Sequence, residues 1–111
     1  MSDLSEMRCE VCQVGSPHAT QQEIDEFMPQ LPGWEIIEEN GVKKLRSHFR
    51  FANFEEALAF TNKVGELAEQ QGHHPTLVTE WGEVTVTWWT HKIEGLHVND
   101  FVMAAKTESL V

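Results

Sequence analysis

The sequence predicts an α+β domain: a four-stranded antiparallel sheet with three helices packed on one face, in the order α-β-β-α-β-β-α. Three observations predict it. Two segments alternate polar and apolar residues on either side of Asn40-Gly41, a second pair does so around Gly82, and three further segments space apolar residues at helical intervals.

Each element follows from its own residues. Thr20 is placed to cap a short helix with Glu23 three residues on, and Ile24, Phe27 and Met28 follow at helical spacing before the turn at Pro32-Gly33. "WEIIEE" reads as a strand, Asn40-Gly41 as a tight hairpin turn, and "KKLRSHFRF" as its partner, with Leu45, Ser47, Phe49 and Phe51 opposite in phase to Lys44, Arg46, His48 and Arg50. The long helix begins at Asn53 with Glu56 in the capping-box position, and its expected buried stripe is Phe54, Ala57/Leu58, Thr61, Val64 and Leu67/Ala68. Gly72 ends it. "TLVTEW" and "EVTVTWW" form the second hairpin, with Val84, Val86 and Trp88 on one face and Thr85, Thr87, Trp89 and His91 on the other. Asn99 or Asp100 is expected to cap the last helix, whose stripe is Phe101, Ala104/Ala105 and Leu110.

At 111 residues the chain suits one domain over residues 20–111, preceded by an N-terminal arm over 1–19 that lacks periodicity and is expected to be flexible. Net charge is −10 with only eight Lys and Arg, so a nucleic-acid surface would have to form against the general field. No run approaches the roughly 18 apolar residues of a membrane span, and "MSDLSEMRCE" lacks the plan of a signal peptide, so a cytoplasmic protein is expected. Cys9 and Cys12 in "CEVC", with His18 nearby, have a spacing that suits zinc but supply fewer than the usual four ligands; the plain reading is two reduced thiols.

The stretch "GHHPTLVTEWGEVTVTWWTH" holds three of the six histidines. In an antiparallel hairpin the loop sets which residues oppose, so a Trp81-Gly82 loop places His91 across from Gly72 and a Gly82-Glu83 loop places it across from His74. Either register is expected to bring His73, His74 and His91 together. Pro75 stiffens the backbone of His74. Adjacent strand residues face opposite ways, so His73 and His74 share one ligand only if the corner after Gly72 breaks alternation. Glu69, one helical turn before His73, is spaced to orient that ring. On residue types alone, a general acid/base site, a zinc site using the three imidazoles and Asp100, and structural histidines all remain open.

"EQQGHHP", Trp81, His91 and Asp100, together with "LPGW", "FANFEEALAFTNKVGELAE" and "GLHVNDFVMAAK", resemble the pterin-4a-carbinolamine dehydratases over residues 22–106. The resemblance implies removal of water from 4a-hydroxytetrahydropterin to give quinonoid dihydropterin, recycling the cofactor of aromatic amino acid hydroxylases. It also implies a homodimer or homotetramer, a functional link to such a hydroxylase, and no metal or organic cofactor. His73 and His91 would then be the acid/base pair and His74 a pterin-binding group. Asp100 and Glu69 would hold imidazole tautomers, and the ring would lie against Pro75 and the strand end at Trp89-Thr90. Hydroxide leaves far more readily as water, so the chemistry asks for one proton donor and one acceptor, which imidazoles supply near neutrality. A protein-binding or coactivator role on the same fold is the alternative. Trp34 and Trp88 are expected in the core, Trp81 against other residues or a subunit partner, and His18, His48 and His97 exposed or capping.

Overall fold

A computed structural model describes residues 17–111, so the "CEVC" segment lies outside the described residues. Ala19, the last residue expected in the arm, donates its N–H to the Leu96 carbonyl at 2.7 Å. Helix α1 spans Gln21–Phe27 and opens on the expected capping box: Thr20 Oγ1 accepts from the Glu23 N–H, and the Glu23 carboxylate accepts from the Thr20 N–H. A 3-10 turn at Met28–Gln30 follows, because Pro29 lacks the N–H that another α turn would donate.

Strands β1 (Glu35–Glu39) and β2 (Val42–Arg50) meet at Asn40-Gly41, where both residues have positive φ (53° and 79°), as a type I′ turn demands. Helix α2 (Phe54–Gln71) then carries the chain to the far edge. There β3 (Thr76–Glu80) turns into β4 (Glu83–Trp88), and the sheet order is β1-β2-β4-β3, antiparallel throughout. The pair Glu80↔Glu83 flanks a Trp81-Gly82 loop, the first of the two registers open on sequence. Helix α3 (Val98–Glu108) completes the predicted order.

Alternation along β2 and β4 sends Leu45, Ser47, Phe49, Val84, Val86 and Trp88 to one buried face, where the ladder opposes Leu45 to Trp88 and Phe49 to Val84. Ser47 is the polar member, and its hydroxyl donates to Gly33 O at 2.7 Å, which removes the penalty of burying it. Trp34 and Trp88 are both in the core.

Two packing expectations are corrected. On α2 the buried residues are Ala57, Phe60, Val64 and Ala68, whereas Phe54 and Leu58 remain 44% exposed. Phe60 wins because its ring meets Phe49 and Phe51 at centroid distances of 4.8 and 5.1 Å, a cluster that Phe54 at the first turn does not join. Trp81, expected against other residues or a subunit partner, does not pack within the single chain: it is 73% exposed, on the turn beyond the last ladder pair.

Helix α3 is buried from Asn99 to Ala104 and again at Thr107. Trp88 Nε1 donates to Thr107 Oγ1 at 3.1 Å, and Thr107 donates onward to Met103 O at 2.7 Å. That chain ties the end of β4 to α3. The start of α3 meets the α2–β3 corner and the residues after β4 through Asp100, which contacts His73 and Thr90.

Candidate active site

The corner begins at Gly72, whose φ of 65° ends α2 in the left-handed region that glycine adopts without strain. Its N–H closes on Ala68 and Glu69 carbonyls, and the His73 N–H also turns back to Ala68 O, at 3.2 Å. The backbone of His73 is therefore held by the helix it follows. Its ring lies nearly parallel to the Trp88 indole, 13° apart with centroids at 5.7 Å. His73 is buried.

Nε2 of His73 lies 2.6 Å from Asp100 Oδ1. Asp100 has no solvent exposure, and its other oxygen accepts from the Thr90 hydroxyl at 2.8 Å and the His97 N–H at 2.9 Å. Against an ionised Asp100, Nε2 is the nitrogen that carries the proton, and Nδ1 is the nitrogen left for other partners. Hydrogen bonds to a charged acceptor each contribute about 1.5–3 kcal/mol, and Asp100 takes part in three contacts of 2.6–2.9 Å.

The cap of α3 differs from expectation. His97, not Asn99 or Asp100, is the N-cap: its Nδ1 accepts from the Asn99 N–H at 3.0 Å, and Asp100 reaches back from the third helical position to the His97 N–H. The displacement has a chemical consequence. Three positions into the helix, Asp100 accepts from the His97 N–H through Oδ2 and keeps Oδ1 for His73. The signal in the sequence was the spacing of a polar residue and an acid three apart, with His in place of the usual Ser or Thr.

His74 and His73 part company at the corner. The His74 side chain is 58% exposed, and its Nε2 lies 3.0 Å from Glu69 Oε1, whose side chain is 80% exposed. The expectation that Glu69 orients His73 is therefore corrected. Gly72 reverses the chain so that the residue five positions on, rather than the one a helical turn away, meets the carboxylate. Pro75, half-buried, joins His74 to β3.

His91 leaves the strand. The ladder stops at Trp88, and Thr90 forms a two-way backbone bridge with Gly95, at 2.9 and 3.4 Å, that roots a 3-10 turn at His91–Ile93. The His91 ring stacks on Trp89 with centroids 4.2 Å apart and planes at 24°. Its link to the rest of the site runs through its neighbour, since the Thr90 hydroxyl bonds the same Asp100 that holds His73. His48 is exposed and bonds Thr85 at 3.0 Å. His18 is exposed with its ring against Gly95.

Among the described residues no group of three or more His, Cys, Asp or Glu is placed to hold a metal ion; His48, His73 and His74 each lie beside a single carboxylate. A cleft of ≈ 220 Å³ between the β1–β2 turn and residues 94–96 is lined by His18, Glu38, Lys43 and Glu94 among others, and by no candidate site residue. No helix among the described residues is long and apolar enough to cross a membrane.

Residues 17–110 match the family described as Pterin 4 alpha carbinolamine dehydratase. The chain belongs to that family. Relatives named as pterin-4-alpha-carbinolamine dehydratases share 60% identity over all 111 residues in both Nitrosococcus oceani and Syntrophotalea carbinolica, covering 98% and 99% of those chains. The crystal structure of a transcriptional coactivator/pterin dehydratase from Brucella melitensis superposes with a TM-score of 0.75 at 29% identity, over 85% of this chain and 98% of that one. A pterin dehydratase-like protein described as a RuBisCO assembly factor in the alpha-carboxysome shares the fold, with a TM-score of 0.60 at 22% identity over 70% and 88% of the two chains. The four-stranded antiparallel sheet with three helices is thus the family's architecture as well as this chain's.

Proposed function

We propose that the protein is a 4a-hydroxytetrahydropterin dehydratase that works by histidine acid/base catalysis. The observation that carries the reading is the buried Asp100 carboxylate, which accepts from His73 while its second oxygen anchors the Thr90 end of the His91 turn. A structural carboxylate capping α3 would need only the helix N–H groups. This one also fixes the tautomer of an imidazole, the usual task of an acid behind a catalytic histidine.

In the proposed reaction the C4a–O bond breaks, the oxygen takes up a proton and departs as water, and N5 gives up its proton to leave quinonoid dihydropterin. Protons and charge balance without an outside reagent. His73 and His91 exchange the two protons, and His74, held by Glu69, binds the pterin. Pro75 and the backbone of Trp89 and Thr90 line the ring. The pterin so regenerated would serve an aromatic amino acid hydroxylase in the cytoplasm, and a homodimer or homotetramer is the proposed assembly.

The test is turnover of the 4a-hydroxy intermediate, followed by its ultraviolet signal in a coupled hydroxylase assay. His73→Ala and His91→Ala are each expected to lower the rate by about 10²–10⁴-fold, the usual contribution of one acid or base, with folding intact. Full turnover in both variants would defeat the assignment.

A further inference from the structure

His91 is held differently from the other two imidazoles. His73 has Asp100 and His74 has Glu69, whereas among the described residues the restraint on the His91 ring is the indole of Trp89. A three-residue 3-10 turn whose first two residues are exposed does little by itself to fix a ring. An acid or base that wanders loses the orientation on which its rate contribution depends.

Trp89 is itself pinned. Lys44 Nζ lies over its ring, 4.1 Å from the centroid. Lys44 stands one step past the last β2–β4 pair, Leu45↔Trp88, so the two side chains are cross-strand neighbours on the sheet face opposite the core. The ammonium is bonded to Glu39 Oε1 at 3.1 Å, and the Lys44 side chain is only 17% exposed. A cation largely withdrawn from water is where contact with an aromatic face is strongest. Glu39, Lys44, Trp89 and His91 therefore form one connected row from β1 to the turn after β4.

We infer that the side chains of Trp89 and Lys44 are positioning residues for His91, Trp89 as the plane its ring stacks on and Lys44 as the clamp that fixes that plane. The inference rests on the proposal that His91 exchanges protons with the pterin. It assigns the Trp89 side chain a task separate from the backbone contacts proposed above. It also gives Lys44 a functional reason to sit on the outer face of β2.

Two measurements test it, one of them independent of activity. Proton NMR of the His91 ring, assigned with His91→Gln, should show upfield shifts from the stacked indole. These shifts should vanish in Trp89→Leu, persist in Trp89→Phe, and shrink in Lys44→Met. In the turnover assay, Trp89→Leu should lower kcat about tenfold with KM within about twofold, Trp89→Phe should recover most of the loss, and Lys44→Met should lower kcat several-fold. In a His91→Ala background neither substitution should lower the rate further.

Shifts that survive Trp89→Leu would overturn the stacking claim. Wild-type kcat in Trp89→Leu, alongside a crippled His91→Ala, would overturn the positioning claim while leaving the dehydratase reading intact. Full turnover in His91→Ala would instead sink the role of His91 in that reading, whatever the NMR shows. Thermal unfolding of each variant separates lost positioning from lost folding, and Trp89→Phe keeps the aromatic packing in either case.

Discussion

Nε2 of His73 and Oδ1 of Asp100 are 2.6 Å apart in a position without solvent access to the acid, and two further donors hold the second oxygen of Asp100. An amide in place of this carboxylate has one acceptor and one NH₂ group, so it cannot accept from all three donors. Asp100→Asn should present N–H to His73 Nε2 and favour the opposite tautomer. Loss of kcat by about 10–100-fold is expected, as for other groups that orient a functional imidazole from behind. The check is steady-state turnover beside a circular dichroism spectrum matching the parent.

The His97 cap makes a separate prediction about stability. Its Nδ1 is the acceptor for the Asn99 N–H. His97→Ala should cost about 1 kcal/mol, and His97→Asn, whose side-chain oxygen is among the best N-cap acceptors, should recover most of it. For a domain of this size that is a fall of about 4–8 °C in melting temperature. Equal melting temperatures for the two variants would contradict the capping geometry.

Thr107→Val tests the tie between β4 and α3. The hydroxyl both accepts from Trp88 Nε1 and donates to Met103 O, and Trp88 is fully buried. Valine matches the shape but leaves the indole N–H without a partner, so a loss of about 1–3 kcal/mol is expected. Denaturant unfolding followed by Trp fluorescence measures it.

A pH effect follows from the outer face. The Lys44 ammonium, hydrogen-bonded to Glu39, holds that carboxyl below its ordinary value of 4.5, and Arg46 adds to the effect. A carboxyl lowered on folding contributes stability above its unfolded value, and the contribution is lost as pH falls through the lowered one. Glu39→Gln should therefore lower the melting temperature slightly at about pH 6, and the difference should shrink as pH falls below the ordinary carboxylate value. The change is small because the pair is screened by solvent.

The fold was legible because its signals are local. Thr20 with Glu23, Asn40-Gly41 and Gly72 each dictate their own backbone, and alternation along β2 and β4 identified the buried face residue by residue. Periodicity alone could not choose between Phe54 and Phe60, since that choice depends on where Phe49 and Phe51 stand across the sheet. The contacts among the proposed site residues were less legible. Helical spacing assigned Glu69 to His73, but the reversal at Gly72 gave it to His74, and Asp100 took His73 from a different element. Contacts made through a reversed corner or across the sheet, such as Lys44 over Trp89, leave no trace in local spacing.

The paired backbone bonds between Thr90 and Gly95 close residues 91–94 into a loop with its own root. One imidazole of the proposed site is therefore buried, while another rides on a small appendage closed at its own root. Gentle warming or low denaturant should disorder the appendage first, so that turnover fades while the circular dichroism of the sheet and helices still reads as native.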